Sequence, residues 1–89
     1  MKTTVVTVGT TPTLVVPPDD INRYVYMQIV TSATVYVGDL TVQTTNGLPL
    51  EKHTSPHEFF LPAKQTMFAV VTSQVGTADL RVLTPDTDN

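Results

Sequence analysis

Two histidines are the first residues in this chain whose type and spacing could do chemistry. His53 and His57 lie four residues apart, with Glu51 and Glu58 near them in the sequence. A four-residue spacing brings two metal ligands together on a helix, but the prolines within this segment exclude a helix there. On an irregular loop the spacing carries no geometric information. We therefore expect solvent-exposed histidines and no metal site.

The sequence contains no motif for a catalytic nucleophile or for an acid–base pair. Ser32, Ser55 and Ser73 each lack the Gly-x-Ser-x-Gly turn that activates a serine nucleophile. The carboxylates are scattered rather than paired, and the four glycines are isolated turn residues that form no phosphate-binding loop. The sequence therefore predicts no catalytic residue, no cofactor and no enzyme activity.

Aromatic residues give the strongest binding signal. Alternation in residues 24–30 places one set of side chains in the core and Tyr24 and Tyr26 on the opposite face, where Tyr36 is expected to join them. Phe60 follows another phenylalanine, and adjacent strand residues point to opposite faces, so one of the two needs cover. A loop or second layer could cover these aromatics, or a partner could. We name all four as candidate partner contacts.

The elements that position these residues are strands. Seventeen threonines and fourteen valines favour strands over helices. Prolines and glycines interrupt the chain at short intervals, which is typical of a sandwich or barrel. Strands are predicted at residues 3–8, 13–16, 24–30, 34–37, 40–43, 58–61, 67–72 and 77–83. The prediction is all-β: a single small antiparallel β-sandwich or barrel of seven to eight short strands.

Several segments carry more detailed expectations. The odd positions of residues 24–30 are apolar and should face the core, and residues 34–37 should pair back onto this strand. Residues 67–72 are the most apolar and should form a central strand. Residues 44–57 are expected to form a long surface loop, anchored by the two leucines that flank Pro49.

The domain organisation is simple. Residues 1–83 are predicted to form one β domain, in which residues 1–9 are either the first sandwich strand or an extended arm that adds a strand to a neighbour. Residues 84–89 are expected to be a disordered acidic tail. A chain of 89 residues without cysteine has a thin stability margin and no disulfide to increase it. Association with itself or with a larger lattice is therefore expected.

Charge and hydropathy exclude two classes of partner. The net charge is −3, and the five basic residues are spread singly, so no basic surface is predicted to bind nucleic acid. The apolar stretches are too short to span a bilayer, and the first residues lack a signal pattern. We expect a protein made in the cytoplasm, with no nucleic-acid or membrane partner.

Four segments in order resemble a known class of protein. They are VYVGD at residues 35–39, TTNGLPL at 44–50, MFAVV at 67–71 and ADLRVL at 78–83. Across residues 24–83 the chain is similar to small all-β modules from structural proteins of tailed phages, such as capsid decoration and head-fibre proteins. The resemblance implies an all-β fold, which fits the composition.

The same resemblance implies a role. It indicates a capsid decoration (cement) protein that lies on the outer capsid surface of the virion, is made in the host cytoplasm and bridges major capsid proteins, with a trimer favoured. Two alternatives remain. One is a head-fibre, tail or baseplate binding module whose 44–57 loop contacts a host glycan or another virion protein. The other is a head–tail joining protein, for which the resemblance implies rings of six or twelve subunits.

Overall fold

The computed structural model describes residues 2–29, 33–52 and 56–85, and all regular structure in these ranges is β-strand. The strands are β1 (Lys2–Val8), β2 (Thr13–Val16), β3 (Arg23–Ile29), β4 (Val35–Gly38), β5 (Leu48–Leu50), β6 (His57–Leu61), β7 (Met67–Val70) and β8 (Ala78–Thr84). They form two open sheets of four strands each. The predicted all-β sandwich is confirmed, and it is a sandwich rather than a closed barrel.

The strand order defines the topology. The first sheet has the order β1-β8-β3-β6 and the second has the order β2-β7-β4-β5, with antiparallel pairing throughout. Of the seven connections along the chain, only the one from β4 to β5 stays within a sheet. This is the order of an eight-stranded jelly roll, which occurs in viral capsid proteins, lectins and cupins. Such a fold hosts many functions and specifies none of them.

The core lies between the two sheets and follows the predicted alternation. On β3 the buried side chains are Val25, Met27 and Ile29, and on β4 they are Val35 and Val37. Strand β7 lies between β2 and β4, so the prediction of a central strand near residues 67–72 is confirmed. Burial of these alternating residues is the main term that stabilises the sandwich.

Two strand predictions were wrong. Strand β4 does not pair with β3; the two strands belong to different sheets. Inward alternation is the same for strands that neighbour each other in one sheet and for strands that face each other across a core, so the pattern could not separate these cases. Residues 40–43 form a turn rather than a strand, in which the Val42 amide donates to the Asp39 carbonyl at 3.0 Å.

The predicted 44–57 loop is partly regular. It contains β5, and β6 begins at its last residue; residues 53–55 lie outside the described residues. Of the two predicted leucine anchors, Leu50 is buried but Leu48 is exposed, because Leu48 lies at the start of an edge strand only three residues long.

The two ends of the domain lie side by side. Strand β1 pairs with β8 along its whole length, from Lys2 opposite Thr84 to Val8 opposite Ala78. In this chain, residues 2–8 are thus a sandwich strand. Of the segment predicted to be a disordered tail, Thr84 is the last residue of β8, and residues 86–89 lie outside the described residues.

A buried arginine joins two connections at one end of the sandwich. Arg23 is only 5% exposed. Its guanidinium donates to the carbonyl oxygens of Pro17 at 2.7 Å, Ile21 at 3.3 Å and Gln65 at 3.2 Å. Backbone carbonyls thus compensate the cost of burying the charge and tie the β2–β3 connection to the β6–β7 turn. Arg23 has the same parity as Val25, a signal that could have predicted its inward orientation.

Candidate interaction face

The outer face of the first sheet brings three of the four predicted contact residues together. Strands β3 and β6 pair with Tyr24 opposite Phe60 and Tyr26 opposite Glu58. All four side chains lie on the side of the sheet away from the core, because the buried positions of β3 alternate with them. We call these four residues the aromatic face.

Tyr24 and Phe60 form the most exposed part of the aromatic face. Their ring centroids lie 5.3 Å apart and their planes are inclined at 63°, an edge-to-face arrangement. Each side chain is 54% exposed. The neighbouring Phe59 packs against the core instead, which confirms that adjacent phenylalanines point to opposite faces. The pair is a preformed apolar surface that is open to a partner.

Tyr26 and Glu58 add a polar pair beside the aromatic rings. The side chains are hydrogen-bonded, with the phenol as donor, and this bond holds the pKa of Tyr26 above its ordinary value of 10.0. The negative charge of Glu58 acts in the same direction. Because the bond uses the phenol hydrogen, the remaining carboxylate lone pairs are available to a donor on a partner surface.

A groove of about 330 Å³ extends from Tyr26 across the same side of the sheet. Its walls include Leu83, Pro56 and the side chain of Arg81. Arg81, opposite Gln28, is exposed. The outer face of the first sheet thus offers apolar rings, a carboxylate and a cation within one surface.

Tyr36 does not belong to this surface, so its expected place beside the other tyrosines was wrong. It lies on β4, in the second sheet, opposite Pro49 and Val70. The cause is the change of sheet between β3 and β4. A methyl group at Gly47 would lie only 2.7 Å from the Cβ of Tyr36, so residues that follow β4 pack directly onto this tyrosine.

Part of the outer face of the second sheet, beside β4, is covered by the protein's own chain. Residues 39–47, which we call the cover segment, place Val42 against the sheet with only 2% of its surface exposed. A methyl group at Gly38 or Gly47 would lie 2.9 or 2.8 Å from a Val42 methyl, so glycine at both positions makes the close approach possible. Val42 therefore closes a small second core outside the sandwich.

Side-chain hydrogen bonds hold the cover segment in shape. The Asp39 carboxylate accepts from the Thr41 amide at 2.9 Å and from the Thr41 hydroxyl at 2.7 Å. These bonds favour the ionised form and hold the pKa of Asp39 below its ordinary value of 3.8. Further along, the Asn46 side chain accepts from the Gln43 amide at 2.7 Å. The Asp39–Thr41 contact is an Asx turn, and both side-chain contacts stabilise a loop without regular structure.

Sequence reasoning missed Val42. A single valine between polar turn residues has no periodic signal. The informative pattern was a glycine on each side of it, at Gly38 and Gly47. This spacing is compatible with close backbone packing but is equally typical of ordinary turns.

The histidines and serines form no constellation in the described part of the chain. His57 lies on β6 with its Nε2 atom 3.1 Å from the Glu51 carbonyl oxygen. His53, Ser32 and Ser55 lie outside the described residues. Within residues 2–29, 33–52 and 56–85, no group of three or more His, Asp or Glu side chains is arranged to hold a metal ion.

Comparisons of this chain with protein-family models, with curated proteins and with solved structures found no match. In the part of the chain that the structure describes, no helix is long and apolar enough to cross a membrane. The roles of Tyr24, Tyr26, Tyr36 and Phe60 as partner contacts stay predictions.

Proposed function

We propose that this protein is a non-enzymatic structural component of a tailed-phage virion: a capsid decoration protein that binds the major capsid protein on the outer capsid surface through its aromatic face. One observation carries the assignment of that surface. The chain covers part of the outer face of its second sheet, where Val42 packs beside β4, whereas the Tyr24–Phe60 pair on the outer face of its first sheet is half exposed and not covered in this way by any described residue.

The chemistry of the open face suits a protein partner. Aromatic side chains supply large contact area and lose little conformational entropy on binding, and they are enriched among residues that dominate binding energy. The Glu58 carboxylate and the Arg81 guanidinium would give orientation at the rim, where charge sets specificity more than affinity. Binding of this kind needs no cofactor, and it stabilises a shell by adding buried area across subunit boundaries.

The topology and the resemblance support the same proposal. The jelly-roll strand order is widespread among viral structural proteins. Residues 24–83 resemble phage decoration and head-fibre modules, and this resemblance supports synthesis in the host cytoplasm and a location on the virion. Both arguments are analogies at the level of the fold; the exposed aromatic residues supply the argument at the level of the site.

Copy number per virion tests the proposal directly. Quantitative mass spectrometry of purified virions would compare this protein with the major capsid protein. A decoration protein is expected in hundreds of copies, in a simple ratio to the shell subunit. A handful of copies would contradict decoration and favour a fibre, tail or joining role, and absence would remove the virion assignment.

A binding experiment tests the surface. Phe60→Ala and Tyr24→Ala are each expected to weaken binding to shells that lack the protein by tenfold or more, the usual effect at a residue that dominates an interface. Leu48→Ala is the matched control, since Leu48 is also 54% exposed but lies on the second sheet. Equal effects of all three changes would contradict the assignment of the aromatic face.

A second candidate is the head-fibre, tail or baseplate binding module. An open cleft of about 610 Å³ on the second sheet is lined by Tyr36 and Thr34 together with Glu51 and Lys52. Glu51 and Lys52 belong to the 44–57 segment, which in this alternative contacts a host glycan or another virion protein. An aromatic ring near charged and hydroxyl groups suits a sugar. Glycan binding lost in Tyr36→Ala and kept in Phe60→Ala would favour this function, and a ring of six or twelve subunits would favour a joining protein.

A further inference from the structure

The four edge strands of the sandwich differ in how they are protected against pairing. Strand β6 has five residues against the seven of β1, β5 carries Pro49 at its centre, and the register of β2 is broken between Leu14 and Val16. Prolines, bulges and short length are the usual devices that stop an edge from adding a foreign strand. Three of the four edges carry at least one of these devices.

Strand β1 has none of them. It is seven residues long, contains no proline and runs without a register shift against β8. On its other side, no strand in the described part of the chain pairs with it. Val5, at the middle of β1, is 60% exposed on the outer face. A long, unprotected edge with an exposed valine at its centre is a template for another strand.

We propose that two copies of this protein pair through their β1 strands, antiparallel, across a two-fold axis at Val5. The sequence from Thr3 to Thr7 reads TTVVT and is nearly symmetric about Val5. On the outer face, pairing about this axis places Val5 opposite Val5 of the partner subunit and Thr3 opposite Thr7 of the partner subunit. Valine and threonine pairs of this kind stabilise neighbouring strands, and no like charges face each other.

A second copy fits this edge better than an unrelated strand for a geometric reason. A two-fold contact uses the same edge twice, so both unprotected edges disappear and the assembly closes. Pairing with an isolated extended segment of another protein would instead leave that segment's far edge open to further addition. The two-fold contact also adds stability to a chain of 89 residues that has no disulfide.

The dimer would change how the aromatic faces act. The outer face of one first sheet measures about 19 by 23 Å from ordinary strand dimensions, or roughly 400 Å², which is half of what a standard interface buries per partner. In the dimer, one eight-stranded sheet carries two aromatic faces on the same side, with their β3 strands about 24 Å apart. Two-site binding would then raise the overall affinity without new contacts. This consequence rests on the proposed function; the dimer itself does not.

Cross-linking tests the register. The chain has no cysteine, so Val5→Cys introduces the only thiol. Opposed residues in an antiparallel pair have Cα atoms about 4.5–5.5 Å apart, within the range that a disulfide spans. Mild oxidation is expected to give a covalent species of twice 9.7 kDa. The matched variant Val75→Cys, in a turn on the second layer, is expected to stay uncross-linked. Equal cross-linking of both variants would overturn the register.

Sedimentation tests the dimer in solution. The unmodified protein is expected to be a dimer, and Val5→Lys is expected to be a folded monomer because it places two ammonium groups opposite each other at the axis. Val75→Lys is the control and should remain a dimer. A monomeric or trimeric mass for the unmodified protein, or a dimer that persists in Val5→Lys, would overturn the proposal. Circular dichroism of each variant separates dissociation from unfolding, and virion copy number tests the proposed function independently.

Discussion

The outer faces of the two sheets differ in how far the chain buries their apolar residues. Each four-stranded sheet has one side in the core and one side outside it. On the second sheet, the chain folds back and buries Val42 against the strands. On the first sheet, Tyr24 and Phe60 contact each other and otherwise face solvent. Apolar residues lie on both faces, but only on the second sheet is one of them buried beneath a folded-back segment of the described chain.

Because of this difference, some apolar residues stabilise the fold and others are available to bind a partner. The covered part of the second face contributes to folding, because Val42 is buried there. The open face contributes less to folding and keeps its apolar area for an interface. Substitution of an apolar residue should therefore have different effects on the two faces. On the covered face it should lower the free energy of unfolding, and on the open face it should lower the affinity for a partner.

The largest expected effect is on the covered face. Val42→Asp would bury an unpaired carboxylate and is expected to lower the free energy of unfolding by about 3 kcal/mol. Leu40→Asp, two residues earlier in the cover segment and 66% exposed, should change it by less than about 0.5 kcal/mol. Urea unfolding of both variants measures the difference. Similar losses for both would show that the cover segment is not packed as a second core.

The close approach of the cover segment gives the next largest effect. Gly47→Ala would bring a methyl group within 2.8 Å of Val42 and 2.7 Å of Tyr36, so it is expected to cost about 1–3 kcal/mol by overpacking. Gly9→Ala is the matched control, because nothing lies within 4 Å of the added methyl group there. Thermal unfolding should separate the two variants. An unchanged melting temperature in Gly47→Ala would contradict the observed packing.

On the open face the expected contribution to stability is smaller. A double-mutant cycle with Tyr24→Ala and Phe60→Ala is expected to give a coupling energy of about 0.5–1 kcal/mol for the edge-to-face pair. Each single change should cost less than Val42→Asp, because half of each ring is already exposed. A coupling energy as large as the Val42→Asp effect would mean that the open face is part of the folding core, and the contrast would fail.

The smallest effect is a dependence on pH. The folded state holds the pKa of Asp39 below 3.8 because the ionised carboxylate accepts bonds from Thr41. Its contribution to stability is therefore complete above that ordinary value and is lost as pH falls through the lower folded pKa. Asp39→Asn should reduce the dependence of the free energy of unfolding on acidic pH. Urea titrations at successive pH values measure this dependence. An acid dependence identical to that of the unmodified protein would exclude a role for Asp39.

The fold was largely predictable, because alternation and turn residues act locally. Core positions such as Val25 and Val37 follow from period-two burial, and the two-sheet architecture follows from the composition and the spacing of turns. Strand partners did not follow, since inward alternation is the same within a sheet and across a core. For that reason Tyr36 was expected beside Tyr24 but lies in the other sheet.

For the candidate site as well, relations within one strand were predictable and relations between strands were not. Tyr24 and Tyr26 share a face because they lie on one strand, and that relation needs no knowledge of topology. The pairing of Tyr24 with Phe60 depends on which strand lies beside β3, and no local pattern specifies it. Val42 was missed because its neighbours Gly38 and Gly47 are close in sequence but give no periodic pattern. Arg23 was missed because one of its partners, the Gln65 carbonyl, is 42 residues away.

The position of β8 has a consequence for how the chain reaches this structure. The last strand of the fold lies between β1 and β3, the first and third strands, so the first sheet cannot form until the C-terminal residues are available. Pairing Lys2 with Thr84 closes a loop of nearly the whole domain, which is the kind of contact that slows folding to milliseconds or longer. Until β8 inserts, both edges of β1 are open, and β3 is open on the side away from β6. Folding should therefore begin with nearer partners, such as β4, β5 and β7, and end with the insertion of β8.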